Sequence, residues 1–561
     1  MTGLRGALPG MALRHPVAAL VLLCLLLYLP GMAVLPPFDR DEARFAQASK
    51  QMLETGDYIA LRFQDEARNK KPVGIYWLQA AAANALTQPP WNEIWVYRLP
   101  SLLCAILAVL LAWRCCALWA RPPTALLAAA LLASSVILVT EAHLAKTDAG
   151  LLCAILGAQF ALATLYRAGH TAERAPSWAA PLFWVAQSAA ILLKGPIGPM
   201  VSGLTLLALW AADRRLDWAR PLARLRLQLI WIVMVLPWFV AIMRATDGAF
   251  FADAVGKDLL PKIYSAQESH GAPPGYYAGL LILGFWPGSL LLPLAAVCAW
   301  RDRRDAAVRF MLAWLIPAWL VFEAVPTKLP HYVLPTYPAL AMLVAFAIDR
   351  GIAPGRIWLR IWTIGWAAFG LAIGAVLAYA PSLIGPAHFP AVLAGAAVAA
   401  TAAAAGFLMA RRGPVAAGVV AIAGAALSFA LLLQVALPGL RAFWIGREIA
   451  LAVRAATPAD STAPAALAGF SEPSAVFLLG TRTVLTAGGG AARHLAERRD
   501  AVAAVEAAEL QVFQHDPGMH VVVAAIDDGG HLDGSSRAQG GQAIGLGLQQ
   551  RQQRGAVGLG K

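Results

Sequence analysis

The chain is 561 residues long, 59% hydrophobic and only 14% charged, against about 25% charged in ordinary soluble domains. Mean hydropathy is +0.62, and a soluble enzyme of this size would need a polar surface that this sequence cannot supply. Lysine and arginine total 45 against 32 acids, a net charge of +13; spread among hydrophobic spans, this suits basic cytoplasmic loops or an anionic lipid substrate rather than nucleic acid.

In chain order, residues 1–37 combine an arginine-bearing start with a long apolar run. No small-x-small cleavage site precedes the charged segment, so they are read as the first span rather than a signal peptide. A polar outer loop follows over 38–93. Further apolar runs lie near 96–120, 124–141, 150–167, 178–193, 197–212, 228–245, 277–300, 308–323, 333–348, 358–380, 389–410 and 414–437. At about 20 residues per crossing, roughly 13 spans use about 260 residues. The expected fold class is therefore an all-α polytopic membrane protein. Its membrane domain covers 1–440, with large outer loops at 38–93 and 246–276.

Numbering the loops alternately from a cytoplasmic N-terminus puts the arginine clusters on one side, from Arg5 and Arg14 through Arg214 and Arg215 to Arg411 and Arg412. Short basic loops mark the cytoplasm, and an odd span count then places the region after Leu440 outside. The lysines behave differently. Lys50, Lys70, Lys71, Lys146, Lys194, Lys257, Lys262 and Lys328 fall in the opposite loops. Two readings stand: lipid anchors that snorkel to the headgroups, or a shared site for an anionic group.

Residues 441–530 read as a small α/β domain, with PAALAGF, SAVFLLG and HVVVAAI as strands and ARHLAERRDAVAAVEAAEL as an amphipathic helix. It binds the acceptor or braces the first outer loop. The Gly-, Gln- and Arg-rich residues 535–561 are assigned no fold. The six cysteines lie in or beside apolar runs, without zinc-ligand spacing to a histidine, so no disulfide framework is expected.

The first outer loop is the most informative segment. After Asp41, Phe45, Met52 and Leu53 keep a helical spacing, and Thr55-Gly56-Asp57 supplies a glycine stop. A second amphipathic helix starts near Pro72 and carries Tyr76 and Trp77; both helices are expected in the membrane interface. Asp41 and Glu42 stand where the first span emerges. Acids there offset a helix dipole, or serve a cavity in which they would be costly unless used. Asp148 recurs in EAHLAKTDAG on the same side. Lys71 precedes Pro72, Lys194 sits in ILLKGPIGP, and Lys328 and Tyr332 lie in PTKLPHYVLPTYP. Acids and cations thus converge beside irregular backbone, which at membrane depth normally lines a cavity. His143 and His331 read as packing or hydrogen-bonding residues.

In combination, DEARFA, KKPVGIYW, KTD at 146–148, KGP at 194–196 and KLPHYVLP resemble the GT-C membrane glycosyltransferases. Within that class they most resemble the 4-amino-4-deoxy-L-arabinose transferases of lipid A, over most of the span region. The resemblance implies transfer of the sugar from undecaprenyl phosphate to a lipid A phosphate on the periplasmic face of the bacterial inner membrane, giving polymyxin resistance. A monomer among membrane lipids is expected, with no nucleic acid partner and no required cofactor beyond a possible divalent metal at an outer loop. Two departures bear on the sugar: Phe45 stands where these enzymes have tyrosine, and Arg68 and Lys70 where they usually carry an aromatic and an acid.

In that chemistry the leaving phosphate needs cations. Lys71 is the first choice, with Lys194, Lys328, Tyr332 and Arg44 as further phosphate-binding candidates; Arg44 alternatively pairs with Asp41 or Asp148. An ionised phosphate acceptor needs no strong base, so Asp41, Glu42 and Asp148 would orient the sugar, hold its amino group or stabilise charge at the anomeric carbon. A hydroxyl acceptor would need one of them as base, Asp41 first. Direct displacement would invert the anomeric centre, as the resemblance implies. Glu268 and His270 in the second large loop offer a weak divalent-metal pair; the plainer reading of that loop is a polar flap near a lipid entrance. A related enzyme acting on protein or polysaccharide is the alternative. A transporter should show internal repeats, and a scaffold leaves the charged motifs unexplained.

Overall fold

The computed structural model describes residues 10–506 apart from 172, 265–270, 386–387 and 499, together with residue 509 and three short strands beyond it. Helix α1 (Pro16–Tyr28) leads into the first outer loop, which folds as α2 (Asp41–Thr55), a hairpin of β1 (Arg62–Phe63) and β2 (Glu66–Ala67), and α3 (Gly74–Leu86). The body continues with α4 (Ile94–Cys116), α5 (Pro122–Ala133), α6 (Val136–Ala142), α7 (Asp148–Thr171), α8 (Ala179–Lys194), α9 (Ile197–Asp213) and α10 (Leu225–Ala245). Then follow α11 (Tyr276–Gly284), α12 (Leu292–Arg301), α13 (Ala306–Ala324), α14 (Tyr337–Asp349), α15 (Arg356–Tyr379), α16 (Phe389–Arg411) and α17 (Pro414–Leu431).

Every apolar run read from the sequence is helical. Among the described residues, eight helices are long and apolar enough to cross a membrane, and two bent pairs would bring this to ten. Helices α1, α8 and α9 are shorter apolar helices. In α7 the apolar window is 89% buried, whereas in α10 it is 17% and in α15 22%. Helix α7 and the equally buried α14 are therefore the core of the bundle, and α10 and α15 turn most of their apolar surface to lipid. Helices α5 and α6 meet at 64°. At that break the Ser134 and Ser135 hydroxyls donate to the Ala130 and Leu132 carbonyls, satisfying backbone groups that the bend frees.

The glycine stop of α2 forms as expected. Gly56 adopts a left-handed φ of 72° and its N–H closes the last turn on the Met52 carbonyl, a conformation that costs glycine little.

Beyond the bundle, α18 (Ile445–Ala456) precedes β3 (Ala466–Ala468), α19 (Pro473–Leu479), β4 (Val484–Thr486), α20 (Gly488–Glu497) and β5 (Ala503–Glu506). With β6 (Val521–Ala524), β7 (Gly534–Ala538) and β8 (Ala543–Leu546) they build a sheet of order β4-β3-β5-β6-β8-β7, parallel except for β7. Three sequence readings are corrected. SAVFLLG is a helix, because Pro473 starts its first turn and a short apolar run suits either state. The stretch expected to extend the amphipathic helix instead supplies β5, since the alanine-rich AAVE is buried between β3 and β6; pairing on both edges outweighs local helix propensity. Strands β7 and β8 fall, but for Gly534, inside the tail assigned no fold, because main-chain groups can pair, β8 between β6 and β7 and β7 at the edge, without a side-chain pattern.

This C-terminal unit grips α2. Gln47 Nε2 donates to Thr481 Oγ1 (2.6 Å), which donates to Glu54 (2.6 Å). Gln64 Nε2 donates to the carbonyls of Thr481 (3.0 Å) and Thr483 (2.6 Å), while Gln51 pairs with the Gln64 backbone at 2.8 and 2.9 Å. Phe477 lies edge-on to Tyr97 at 5.5 Å, with the buried Lys50 ammonium 5.6 Å from its ring centre. Of the two roles left open for this unit, the brace is the one these contacts build.

Candidate active site

The site begins where α7 and α8 meet. Asp148 opens α7 and Lys194 closes α8. The acid thus sits at the positive end of one helix dipole and the cation at the negative end of the other, and the two side chains form a direct ion pair. Gly74 of KKPVGIYW lets α3 approach: a Cβ there would lie 2.8 Å from the Leu192 carbonyl oxygen. The loop between α6 and α7 adds Lys146, whose Nζ is 3.2 Å from Glu141 and 3.9 Å from Asp148. The turn before α14 adds His331, 3.5 Å from Glu141 and 3.6 Å from Asp148. The two carboxylates hold the Lys146 ammonium above its usual range, against the opposing effect of burial. His331 is thus part of the charged cluster, beyond the packing role read for it. His143 does fit that role, its ring nitrogens facing the Val139 and Pro30 carbonyls.

The first outer loop covers this cluster. Asp41 and Arg44 face the same cavity from the first turn of α2, and neither makes an ion pair among the described residues. Phe45 stacks on Tyr76 at 5.1 Å, and the Arg68 guanidinium lies 5.1 Å from the Phe45 ring and donates to the Tyr76 hydroxyl at 3.3 Å. The departures at positions 45 and 68 are therefore complementary, an aromatic face under a cation. Lys71 reaches into the cavity, where Asp258 meets it at 2.8 Å. Burial lowers the Lys71 ammonium below its ordinary value, partly opposed by Asp258. Burial raises the Asp258 carboxyl, but Lys71 and Lys262 outweigh this and hold it below the usual carboxylate range.

Asp41, Arg44, Lys71, Asp148, Lys194 and Tyr332 all line this one cavity, although they come from distant parts of the chain. Tyr332 offers Lys194 its ring face at 5.2 Å. Two expected site residues do not line it. Glu42 turns away: its oxygens accept from Arg98 at 2.8 and 2.9 Å, from the Ala145 N–H at 2.9 Å and from the Phe38 N–H at 2.8 Å. With four hydrogen bonds in a dry setting, it is a structural anion. Lys328 points its ammonium at the Glu323 and Val325 carbonyls (2.9 and 2.6 Å), capping the C-terminal end of α13. Glu268 and His270 lie outside the described residues.

Sequence reasoning missed Glu141 and Asp258, and named Lys262 only among the lysines of the outer loops. An acid within the apolar run of α6 was a signal in itself, and GKDLLPK holds Asp258 and Lys262 four residues apart. Glu141, Asp148 and His331 each bring a ligand atom within 4.8 Å of the others. Lys146 and Lys194 already place positive charge on both carboxylates, so a divalent ion there would leave the cluster strongly positive. Across the cavity, seven lysines and arginines face three carboxylates, an excess of four positive charges. That excess of positive charge suits an anionic ligand.

The helical membrane body, with a cationic cavity roofed by a helical first outer loop, has the GT-C fold that the motif resemblance implied. Its fold matches the crystal structure of ArnT from Cupriavidus metallidurans bound to undecaprenyl phosphate, with a TM-score of 0.70 and 22% identity over 84% of this chain and 86% of that one. Residues 16–246 match the family model of the dolichyl-phosphate-mannose-protein mannosyltransferases. The chain is similar to the undecaprenyl phosphate-alpha-4-amino-4-deoxy-L-arabinose arabinosyl transferase of Pectobacterium carotovorum, 28% identical over 67% of this chain and 66% of the relative. It is similar also to the protein of that name from Pseudomonas aeruginosa, 29% identical over 56% of each. The match to these relatives thus spans about two thirds of their length or less.

Proposed function

We propose that the chain is a glycosyltransferase that moves 4-amino-4-deoxy-L-arabinose from undecaprenyl phosphate to a lipid A phosphate, on the periplasmic face of the bacterial inner membrane. The observation that carries this reading is the meeting of Asp41, Arg44, Lys71, Asp148 and Lys194 around one cavity with an excess of positive charge. The named relatives support the sugar and carrier. The basic arginine loops support a cytoplasmic N-terminus and an outer active site.

An oxygen of the acceptor phosphate attacks the anomeric carbon of the sugar. The bond from that carbon to the carrier oxygen breaks, and its electron pair stays on the carrier phosphate. Lys71 and Lys194 stabilise the charge that grows there, and Arg44 adds a further cation. The acceptor arrives ionised, so the reaction draws no proton. Asp41, exposed and without an ion pair among the described residues, faces the sugar and receives its amino group or the positive charge at the anomeric carbon. Asp148 fixes Lys194 through their ion pair. The four-charge excess fits two phosphates in one cavity, donor and acceptor, better than one phosphate and a neutral hydroxyl. The lysines supply the positive charge that a metal would otherwise provide, and one chain supplies every group used, so the monomer suffices.

A second reading rests on the match of residues 16–246 to protein mannosyltransferases: the same carrier chemistry with a protein hydroxyl as acceptor and Asp41 as base. Lipid A mass spectra from a host that makes the donor but lacks its own transferase separate the two. A mass gain equal to aminoarabinose, present with this chain and absent with Asp41→Asn, supports the first reading. Unmodified lipid A beside well-folded protein sinks it and directs the search to glycoproteins.

A further inference from the structure

The cavity is too small for the substrates just proposed. It measures about 80 Å³, whereas pockets that bury small ligands run to roughly 300–1,000 Å³. Some group has to leave when substrate enters, and the best placed is Asp258. One of its oxygens lies 2.8 Å from Lys71 Nζ and the other 2.7 Å from Lys262 Nζ. Two oxygens shared between two ammonium groups is also how a phosphate would sit there.

The two carboxylates of the cavity that already hold cations differ in their support. Asp148 belongs to α7, one of the two most deeply packed helices, and cannot yield without moving the core. Asp258 belongs to Ala252–Leu259, a π-helical stretch with no fully buried residue. Such winding is rare and recurs at functional sites. Two carboxylates tie this stretch to the first outer loop: Asp258 through Lys71, and Asp253 through a 3.0 Å hydrogen bond from Asn69. Both contacts are polar and exchangeable for other polar partners.

We propose that Asp258 is an internal stand-in for the carrier phosphate. It neutralises Lys71 and Lys262 while the cavity is empty, and an entering phosphate takes its place between the same two ammonium groups. Lys262 thereby becomes a phosphate ligand, and the 252–259 stretch, released from Lys71, moves aside and enlarges the cavity. The proposal rests on the carrier-phosphate reading above and goes beyond it by assigning Asp258 and Lys262. It also has a thermodynamic consequence: a phosphate that must displace a bound carboxylate binds more weakly, by the fraction of molecules in which the place is free.

The test is binding of a polyprenyl monophosphate to the purified full-length chain in detergent, followed by tryptophan fluorescence. Asp258→Asn removes the competing charge, and its affinity should rise about 5- to 20-fold over wild type. Asp258→Glu keeps the charge and should bind as wild type does. Lys262→Ala placed in the Asp258→Asn background should reverse most of the gain. That pattern sustains the proposal. Equal or weaker binding by folded Asp258→Asn overturns it, since Asp258 then helps to build the phosphate site. Failure of both wild type and Asp258→Asn to bind the lipid overturns the carrier reading and this inference together. If Asp258→Asn does not purify as a monodisperse protein, Asp258→Ser provides the same loss of charge.

Discussion

Arg98 and Glu42 lock the root of the first outer loop. The guanidinium meets the two carboxylate oxygens at 2.8 and 2.9 Å, with both side chains sealed from solvent. Arg98 also donates to the Met32, Leu35 and Pro36 carbonyls, and Glu42 accepts from the Ala145 N–H. The pair thus joins the segment after α1, the start of α2 and the loop that carries Lys146 and leads to Asp148. Removing one partner strands a buried charge, so Glu42→Ala should destabilise the fold by about 3–5 kcal/mol. A marked fall in apparent Tm in detergent is the expected result, and an unchanged Tm would refute the structural role given to Glu42.

Asp41, its chain neighbour, should behave in the opposite way. It is exposed to the cavity and makes no ion pair among the described residues. Asp41→Asn should therefore leave Tm and monodispersity near wild type and lower transfer to lipid A by about 100-fold or more. Lys71→Ala should do the same to transfer. If either variant loses folded protein in proportion to activity, that residue is structural.

The pH profile should carry the mark of Lys71. Burial depresses this ammonium below the ordinary lysine value of 10.5. A lysine loses its charge as pH rises through its own pKa, so transfer should decline on the alkaline side before pH 10.5. Arginine stays charged throughout this range, so Lys71→Arg should move the decline upward even if its rate is lower. An alkaline limb unmoved in Lys71→Arg would assign the titration to another group. On the acid side, Asp258 is held below the usual carboxylate range by Lys71 and Lys262. Its charge should persist through neutral pH and disappear only in strong acid.

Glu141 supports the site without lining the cavity. It holds Lys146 at 3.2 Å and faces His331 at 3.5 Å. Glu141→Gln should loosen both and displace Asp148 and Lys194 by contact. A shift on the order of an ångström at reacting groups can cost about 100-fold in rate, so the expected effect is a fall in kcat of about 10- to 100-fold. KM for the donor should change less, and a rise in KM alone would contradict a positioning role.

The C-terminal brace should be separable from the chemistry. Phe477 fills the space between Tyr97 and Lys50, and Phe477→Ala should cost about 3–5 kcal/mol through the cavity it leaves. Local unfolding in that unit, measured by hydrogen exchange, should then spread into α2. Exchange confined to the C-terminal unit would show that α2 is held by the membrane body alone.

Much of the architecture was readable because its signals are local. Hydropathy marks each helix of the body within its own run of residues, and Gly56 ends α2 by a preference of its own backbone. Charge on one face beside KGP and KLPHYVLP pointed to a cavity, and Asp41, Arg44, Lys71, Asp148, Lys194 and Tyr332 do meet there. Tertiary structure alone decided between neighbours. Asp41 and Glu42 differ by about 100° around one helix, and only the position of Arg98 makes one of them structural. Lys328 is taken up by carbonyls at the end of α13, a demand visible only once that helix ends there. Asp258 and Glu141 acquire meaning from cations that reach them across the fold. The AAVE strand shows the same limit, for its alanines favour a helix until two neighbouring strands offer their hydrogen bonds. Local sequence determines what each segment can form and which charges it carries; partners brought from far along the chain determine which charges are neutralised and which are left to meet a substrate.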